Sequence, residues 1–170
     1  LFLLIICRLL HVPHNCLWMN RLFYSNSGTI DTYIRVIVKK SWIDQEGKDT
    51  TLSPELIDLN FTGNGWVIDE ASSTRERTVL YYTKSIASGE STPDFTDTLR
   101  IDPSIAGKVT ETVTEENGYQ TITTVYAYDG YQFQLEAEAD AVQTHNAADA
   151  IKSAWGADVV ISKDGSLSLK

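Results

Sequence analysis

The pattern of apolar and polar positions is clearest near the carboxyl end of the chain, where its period changes. Over residues 131–141 apolar and polar side chains alternate, which predicts a central strand with one buried and one solvated face. Over residues 147–155 apolar side chains recur at helical spacing, and Gly156 follows where a left-handed residue often ends a helix. With Asn146 as the expected N-cap, a short helix over residues 146–155 is predicted.

Strand-like runs separated by turn residues fill the chain from residue 25 onward. The run over residues 33–42 alternates, with Ile37 as the apolar residue out of phase. We expect a hairpin at residues 62–65, a short helix that Ser53 caps, and tight turns at Asn117-Gly118 and Asp164-Gly165. The other predicted strands cover residues 57–61, 66–68, 78–86, 95–101, 105–114 and 119–128, with two short strands flanking Asp164-Gly165.

This order of elements indicates an all-β fold, an antiparallel β-sandwich or jelly roll with one short α-helix near the C-terminus. About nine strands, spaced roughly 8–12 residues apart, are typical of such folds. Strand–helix–strand alternation, which a doubly wound parallel sheet requires, is absent from the pattern. We assign residues 25–170 to a single domain and treat residues 1–24 as a separate, atypical segment.

Residues 1–24 differ in composition from everything that follows. They contain both cysteines, Cys7 and Cys16, and none of the 23 acidic residues of the chain. The first residue is Leu, the apolar run is too short to span a bilayer, and no small-residue cleavage site follows it. We interpret this segment as not native to the domain, the product of a truncated or frame-disrupted gene. The true N-terminus and signal peptide would then lie in a different reading frame upstream of Ser25. The alternative is a buried strand or helix fragment that belongs to the fold.

The charge of the remaining chain excludes several partners. Residues 25–170 carry 12 Lys and Arg residues against 23 acidic ones, within a chain of net charge −9. Without clustered cations in the sequence, neither nucleic acid nor an anionic membrane surface is an expected partner, and no membrane span is expected in the domain. The lack of cysteine after residue 24 argues against a disulfide scaffold and a cysteine zinc site.

Candidate chemistry is sparse. His145 is the one histidine after residue 24, and neither GxSxG nor HExxH occurs, so we assign no catalytic, cofactor-binding or metal-binding residue and expect no cofactor. Glu136, Glu138 and Asp140 share one face of a strand, which we interpret as solvated. A covalent Lys–Asn link, assisted by a buried carboxylate, stays open as an alternative. The residues available for it are Lys39, Lys40, Lys84 and Asn146.

Three segments resemble a known family of exported proteins. They are SNSGTIDTYIRVIVKKSW (25–42), STRERTVLYYTKSIASGESTPDFTDTLRIDPSI (73–105) and YDGYQFQLEAEADAVQTHNAADAIKSAWG (128–156). They resemble proteins of Gram-positive bacteria whose export depends on a SipW-type alternative signal peptidase, related to the TasA and camelysin matrix proteins. The most specific part is DAVQTHNAADAIKSAWG, and its family markers with a structural role are His145, Asn146, Ile151 and Trp155.

The resemblance implies a secreted, non-enzymatic jelly-roll protein that serves as a subunit of extracellular biofilm-matrix or surface fibres. Such subunits self-associate, or join related fibre subunits, by strand donation, in which an N-terminal strand completes a neighbour's sheet. Two alternatives stay open. One is a camelysin-like secreted metal-dependent protease, and the other is a surface carbohydrate- or peptide-binding sandwich, whose sign would be clustered exposed Tyr and Trp.

Overall fold

The structure is a computed structural model, which describes residues 2–8, 17–18, 21–107, 109–116, 119–126 and 131–170. This part of the chain is mostly β, with antiparallel sheets, which confirms the predicted class. Its one α-helix, α1, covers Ala147–Trp155 and lies within the predicted range. The C-terminal end of α1 is also as predicted, because Gly156 adopts φ 72° and donates its N–H to the Lys152 carbonyl at 3.0 Å.

The strands are numbered in chain order. They are β1 Phe2–Arg8, β2 Leu17–Trp18, β3 Thr32–Ile43, β4 Lys48–Asp49, β5 Ile57–Phe61, β6 Trp66–Ile68, β7 Arg77–Tyr82, β8 Thr96–Ile101, β9 Val109–Glu116, β10 Tyr119–Tyr126, β11 Gln132–Gln143, β12 Val159–Ile161 and β13 Leu167–Leu169. Short 3₁₀ helices cover Pro54–Leu56, Glu70–Ser72 and Pro103–Gly107. As predicted, the side chain of Ser53 caps the first of these by accepting the Glu55 N–H.

Two sheets form the body of the fold. The main sheet has the order β1-β11-β3-β7-β6, with β4 paired to the end of β3, and the second sheet has the order β2-β8-β5. The strand β11 is therefore an interior strand, flanked by β1 and β3. The hairpins β9–β10 and β12–β13 each form a separate two-stranded sheet, which confirms the pairing expected around Asp164-Gly165. The turn expected at Asn117-Gly118 lies outside the described residues.

The hairpin predicted at residues 62–65 is wrong. A turn is present, since Trp66 donates its N–H to the Gly63 carbonyl at 2.7 Å. However, β5 pairs with β8 in the second sheet, and β6 pairs with β7 in the main sheet. Turn residues specify a chain reversal and leave the pairing of its two arms to tertiary contacts. Here Trp66 is buried against Phe95, at 5.5 Å between ring centroids, and the turn carries the chain from one sheet to the other.

The two sheets share one hydrophobic cluster. It takes alternate residues of β3 and β11 from the main sheet and the apolar residues of β5 and β8 from the second. Removal of these side chains from water is the main stabilising term, at roughly 1.5–3 kcal/mol for each large side chain. The completely or almost completely buried members include Ile34, Val36, Val38, Trp42, Ile57, Leu80, Leu99 and Leu135.

A second cluster lies on the opposite face of the main sheet, beneath α1 and the β12–β13 hairpin. There Tyr33 and Ile37 of β3 share a buried cluster with Ile151 of the helix. This cluster explains why Ile37 is out of phase in the alternation of β3, because the strand is buried on both faces over most of residues 32–38. The described fold thus has three layers, with the main sheet in the middle.

Residues just before the predicted domain boundary belong to the hydrogen-bonded body. Leu22 exchanges backbone hydrogen bonds with Phe95 and Thr96, at 2.8 and 3.1 Å. Leu22 and Tyr24 also pack against the main cluster. The predicted boundary at Ser25 stays a prediction, but Leu22 and Tyr24, like the strands β1 and β2 before them, contact the body of the fold.

The turn after β4 is held by the buried carboxylate of Asp49. Its oxygens accept the N–H groups of Leu52 and Thr51, at 2.9 and 3.0 Å, and the Thr51 hydroxyl at 2.9 Å. Burial by itself raises the pKa of the Asp49 carboxyl, but these hydrogen bonds outweigh burial and hold the pKa below its ordinary value. The ionised carboxylate therefore stabilises the folded state.

Asp49→Asn is expected to lower the free energy of unfolding at pH 7 by about 1–2 kcal/mol, because an amide NH₂ then faces backbone N–H donors. Since the folded-state pKa is depressed, the stabilisation is complete above the unfolded-state pKa, near 4, and is lost as the pH falls through the folded value. Urea unfolding measures the effect. The free energies of unfolding of wild type and Asp49→Asn should differ at pH 7 and become nearly equal at pH 3. The exposed Asp31→Asn is the control, and equal midpoints for Asp49→Asn and wild type at pH 7 would contradict the assignment.

Candidate functional site

The marker residues His145 and Asn146 are exposed and form the corner between β11 and α1. The predicted side-chain cap by Asn146 is wrong, since its side chain makes no capping hydrogen bond. Instead Asn146 adopts a left-handed conformation, with φ 49° and ψ 39°, and its carbonyl accepts the Ala150 N–H at 3.0 Å. Asparagine tolerates this conformation better than most residues, which explains its place at a sharp corner.

The other two markers, Ile151 and Trp155, fasten α1 to the main sheet. Ile151 is completely buried in the second cluster. The half-buried ring of Trp155 lies 5.7 Å from the ring of Tyr81, and the guanidinium carbon of Arg35 lies 5.2 Å from the Trp155 ring centroid. A cation over an indole face is attracted by about 0.5–2 kcal/mol, so Arg35 helps to hold the end of the helix.

Arg35 also pairs with Asp140, which lies directly opposite it on β11. Its Nε donates to the Asp140 Oδ2 at 3.1 Å, and its Nη2 donates to the same oxygen. The two side chains are 15% and 32% exposed, so Asp140 is only partly solvated, whereas the side chain of Glu138 on the same strand face is 45% exposed. Burial raises the pKa of the Tyr81 hydroxyl, and the nearby Arg35 cation opposes that rise. The cluster fixes the helix on the sheet and has no exposed nucleophile or base.

The structure separates the residues named for a Lys–Asn cross-link. Lys39 and Lys40 pair with Glu136 and Leu135 of β11, whereas Asn146 follows the far end of that strand. Seven strand residues span more than about 20 Å, so neither of these lysines adjoins Asn146. The remaining candidate, Lys84, is exposed, as Asn146 is.

Lys40 is half-buried, and its Nζ donates to the Ile57 carbonyl at 2.6 Å. Burial lowers the pKa of this ammonium group, while the carboxylates of Asp58 and Glu55 oppose that change. The Lys40 ammonium group therefore joins the main sheet to the second sheet.

A metal-dependent protease and a carbohydrate-binding surface would each need a particular grouping of side chains. In the described part of the chain no group of three or more His, Cys, Asp and Glu side chains is arranged to hold a metal ion, and His11 and His14 lie outside that part. Among the residues whose side-chain exposure is described, the large apolar side chains that are exposed are Phe23, Ile30, Val113 and Val160, none of them Tyr or Trp. Within the described residues no helix has the length and apolarity to cross a bilayer.

An open polar cleft of about 460 Å³ lies along the main sheet, beside β3, β7 and β11. We call it the basic cleft, because its charged lining has four cations and two carboxylates. They are Lys39, Lys40, Lys48, Arg77, Glu76 and Glu136. This cluster is not evident from the sequence, because its cations come from three separate segments of the chain. Pairing of β3 with β7 places Lys39 directly opposite Arg77.

The charges of the basic cleft are only partly compensated. The Lys48 Nζ contacts the Glu76 carboxylate at 2.5 Å, but the Lys39 Nζ lies 3.8 Å from the Glu138 carboxylate. Arg77 donates weakly to the Ser72 carbonyl, at 3.5 Å, and forms no ion pair with a carboxylate of the described chain. Like charges directly opposite each other on neighbouring strands repel, so Lys39 and Arg77 together favour an additional anion.

The outer edge of β11 is the other notable surface. Strand β1 pairs with it in antiparallel register over seven residues, from Phe2 opposite Glu138 to Arg8 opposite Gln132. The segment that we interpret as foreign to the domain thus supplies the last strand of the main sheet. No family model, curated protein or solved structure matches this chain, so the family resemblance stays an expectation drawn from its own residues.

Proposed function

We propose that this protein is a secreted, non-enzymatic subunit of extracellular fibres, of the biofilm-matrix kind that the TasA and camelysin family forms on Gram-positive cells. The observation that carries the proposal is the pairing of β1 with the edge of β11. The proposal therefore takes residues 2–8 as part of the subunit, against their interpretation as a foreign segment. A terminal segment completes the main sheet there through seven consecutive register pairs. Family and extracellular location rest on the resemblance of the three segments, of which residues 140–156 are the most specific.

Strand donation requires an edge that accepts a strand through its backbone. The edge of β11 is of this kind, because β11 is bonded to β3 on one side and has its remaining N–H and C=O groups directed at β1. Main-chain hydrogen bonds depend little on side chains, so the equivalent strand of a neighbouring subunit can make them too. Exchange of an identical element between copies is a low-cost route to assembly, and a head-to-tail exchange that does not close gives a fibre.

Two single prolines in β1 provide a matched test, Leu4→Pro and Ile5→Pro. In an edge strand alternate N–H groups point toward the partner, so one of the two substitutions removes a ladder donor and the other removes an outward N–H. The inward substitution is expected to raise the concentration needed for fibre formation about tenfold or more, because a ladder hydrogen bond is lost in every contact.

Negative-stain electron microscopy and sedimentation of the full chain measure the effect, and the outward proline is the control. Full-length protein that stays monomeric at every concentration and salt would refute the fibre proposal. If the two proline variants form fibres equally well, the subunits of the fibre are not joined by β1.

A further inference from the structure

We infer that the basic cleft of one subunit binds the β9–β10 hairpin of a second copy of this chain. The inference rests on the proposed fibre function and names a contact between subunits that strand donation does not supply. Three properties of the described residues carry it: the isolation of the hairpin, the charge of the two surfaces, and the position of the cleft beside the β11 edge.

The hairpin is isolated from the rest of the described fold. Strands Val109–Glu116 and Tyr119–Tyr126 pair with each other over eight register positions and with no other described strand. Thr112, Val113 and Thr114 are consecutive and all exposed, with Val113 at 54%. Since successive strand residues point to opposite faces, neither face of β9 is covered at this point. A lone two-stranded hairpin is marginally stable in water, so a partner surface would stabilise it.

The charges of the two surfaces are complementary. The hairpin sequence contains Glu111, Glu115 and Glu116 and no Lys or Arg, whereas the basic cleft carries two more cations than carboxylates. Copies of a protein with net charge −9 repel one another over most of their surfaces. The basic cleft is a place where an acidic element of another copy is attracted, and Lys39 and Arg77 gain the anions that their own chain supplies incompletely.

The position of the cleft suits a fibre contact. Glu136, in its lining, pairs with Leu4 of β1, so the cleft adjoins the edge at which strand donation is proposed. The hairpin and the cleft are different surfaces of one chain. A contact between them can therefore be repeated head to tail from one copy to the next, which extends a fibre when the rotation between copies does not close a ring.

Charge exchange tests this contact with full-length protein. One variant reverses the cleft, Lys39→Glu with Arg77→Glu, and the other reverses the hairpin, Glu111→Lys with Glu115→Lys. At 50 mM NaCl each variant alone is expected to need at least about tenfold more protein for assembly, because like charges then face each other. An equimolar mixture is expected to recover to within about threefold of wild type, since each cleft again meets a hairpin of opposite charge.

The control is Lys84→Glu with Lys163→Glu, which makes the same charge change as the cleft variant at two exposed positions elsewhere. The protein concentration that this control needs for assembly is expected to change by less than about threefold, as for scattered surface charges. Light scattering and sedimentation at 50 and 500 mM NaCl measure assembly. Wild type is expected to assemble less readily at 500 mM NaCl, because salt screens the attraction between the cleft and the hairpin. Recovery in the mixture also demonstrates that both variants fold.

Each other outcome overturns the inference in a distinct way. If wild type assembles and the two reversed variants assemble as the control does, the contact is wrong and the fibre proposal stands. If the variants are impaired but their mixture does not recover, the two surfaces do not face each other. Such a result would leave a different anion, such as an acidic polysaccharide, as the occupant of the cleft. If wild type and the mixture both stay monomeric, the contact and the fibre proposal fail together.

Discussion

Trp42→Ala is expected to destabilise the domain by about 3–5 kcal/mol, because it opens a cavity the size of an indole between the two sheets. Trp42 is completely buried, and its ring meets the edge of Phe133 with 6.5 Å between centroids. Its Nε1 also donates to the Ser53 carbonyl at 2.9 Å, so alanine leaves that acceptor without its donor. The substitution therefore removes contacts that join β3 to β11 and to the segment after β4.

Urea unfolding followed by circular dichroism measures this effect. Trp42→Phe keeps much of the packing and loses the hydrogen bond, so a smaller loss of about 1–2 kcal/mol is expected. Phe23→Ala serves as the control because that ring is 52% exposed. A loss below about 1 kcal/mol for Trp42→Ala would show that the space between the sheets is not packed as described.

Arg35→Met is expected to cost about 2–3 kcal/mol, the second largest effect. It leaves the half-buried Asp140 carboxylate without its cation and removes the guanidinium from the Trp155 ring. The partial exposure of Asp140 keeps the cost below that of a fully buried pair. The helix α1 should loosen first, since Trp155 is its last residue. Faster amide exchange in α1 than in β3 would report that loosening.

A double-mutant cycle measures the interaction energy between Arg35 and Asp140 apart from their other contacts. Adding Asp140→Leu to Arg35→Met removes the unpaired carboxylate and is expected to restore at least about 1 kcal/mol. The exposed pair Lys152–Asp158 provides the control, and Lys152→Met should change stability little because solvent screens both groups. Strictly additive effects of Arg35→Met and Asp140→Leu would show that the two side chains do not interact.

The parts of this fold that sequence predicts well are those set by local chemistry. The change of period near residue 143 locates both β11 and α1, and Gly156 marks the helix end because its φ of 72° is costly for other residues. Asp164-Gly165 likewise marks a hairpin whose two strands are neighbours in sequence. In each case the residues that determine the structure lie within a few positions of it.

The parts that sequence misses depend on pairing between distant segments. Nothing near residues 62–65 specifies that β5 joins β8, because that choice is made by packing between the sheets. The same holds for the candidate site: Lys39 and Arg77 are 38 positions apart, and only the register of β3 with β7 places them face to face. In the sequence, Asp140 looks like a solvated acidic residue of an alternating strand. Its pairing with Arg35 depends on the register of β11 with β3.

The position of β3 between β7 and β11 has a consequence for how the chain reaches its folded state. Arg35 and Asp140 are 105 positions apart, so the central pairing of the sheet closes a loop that contains most of the domain. Contacts of such high sequence separation slow folding, because the entropy of loop closure is lost before the contacts form. The apolar strand β3 therefore stays without one neighbour until synthesis has passed residue 143. A chain with this topology completes its main sheet only late in synthesis.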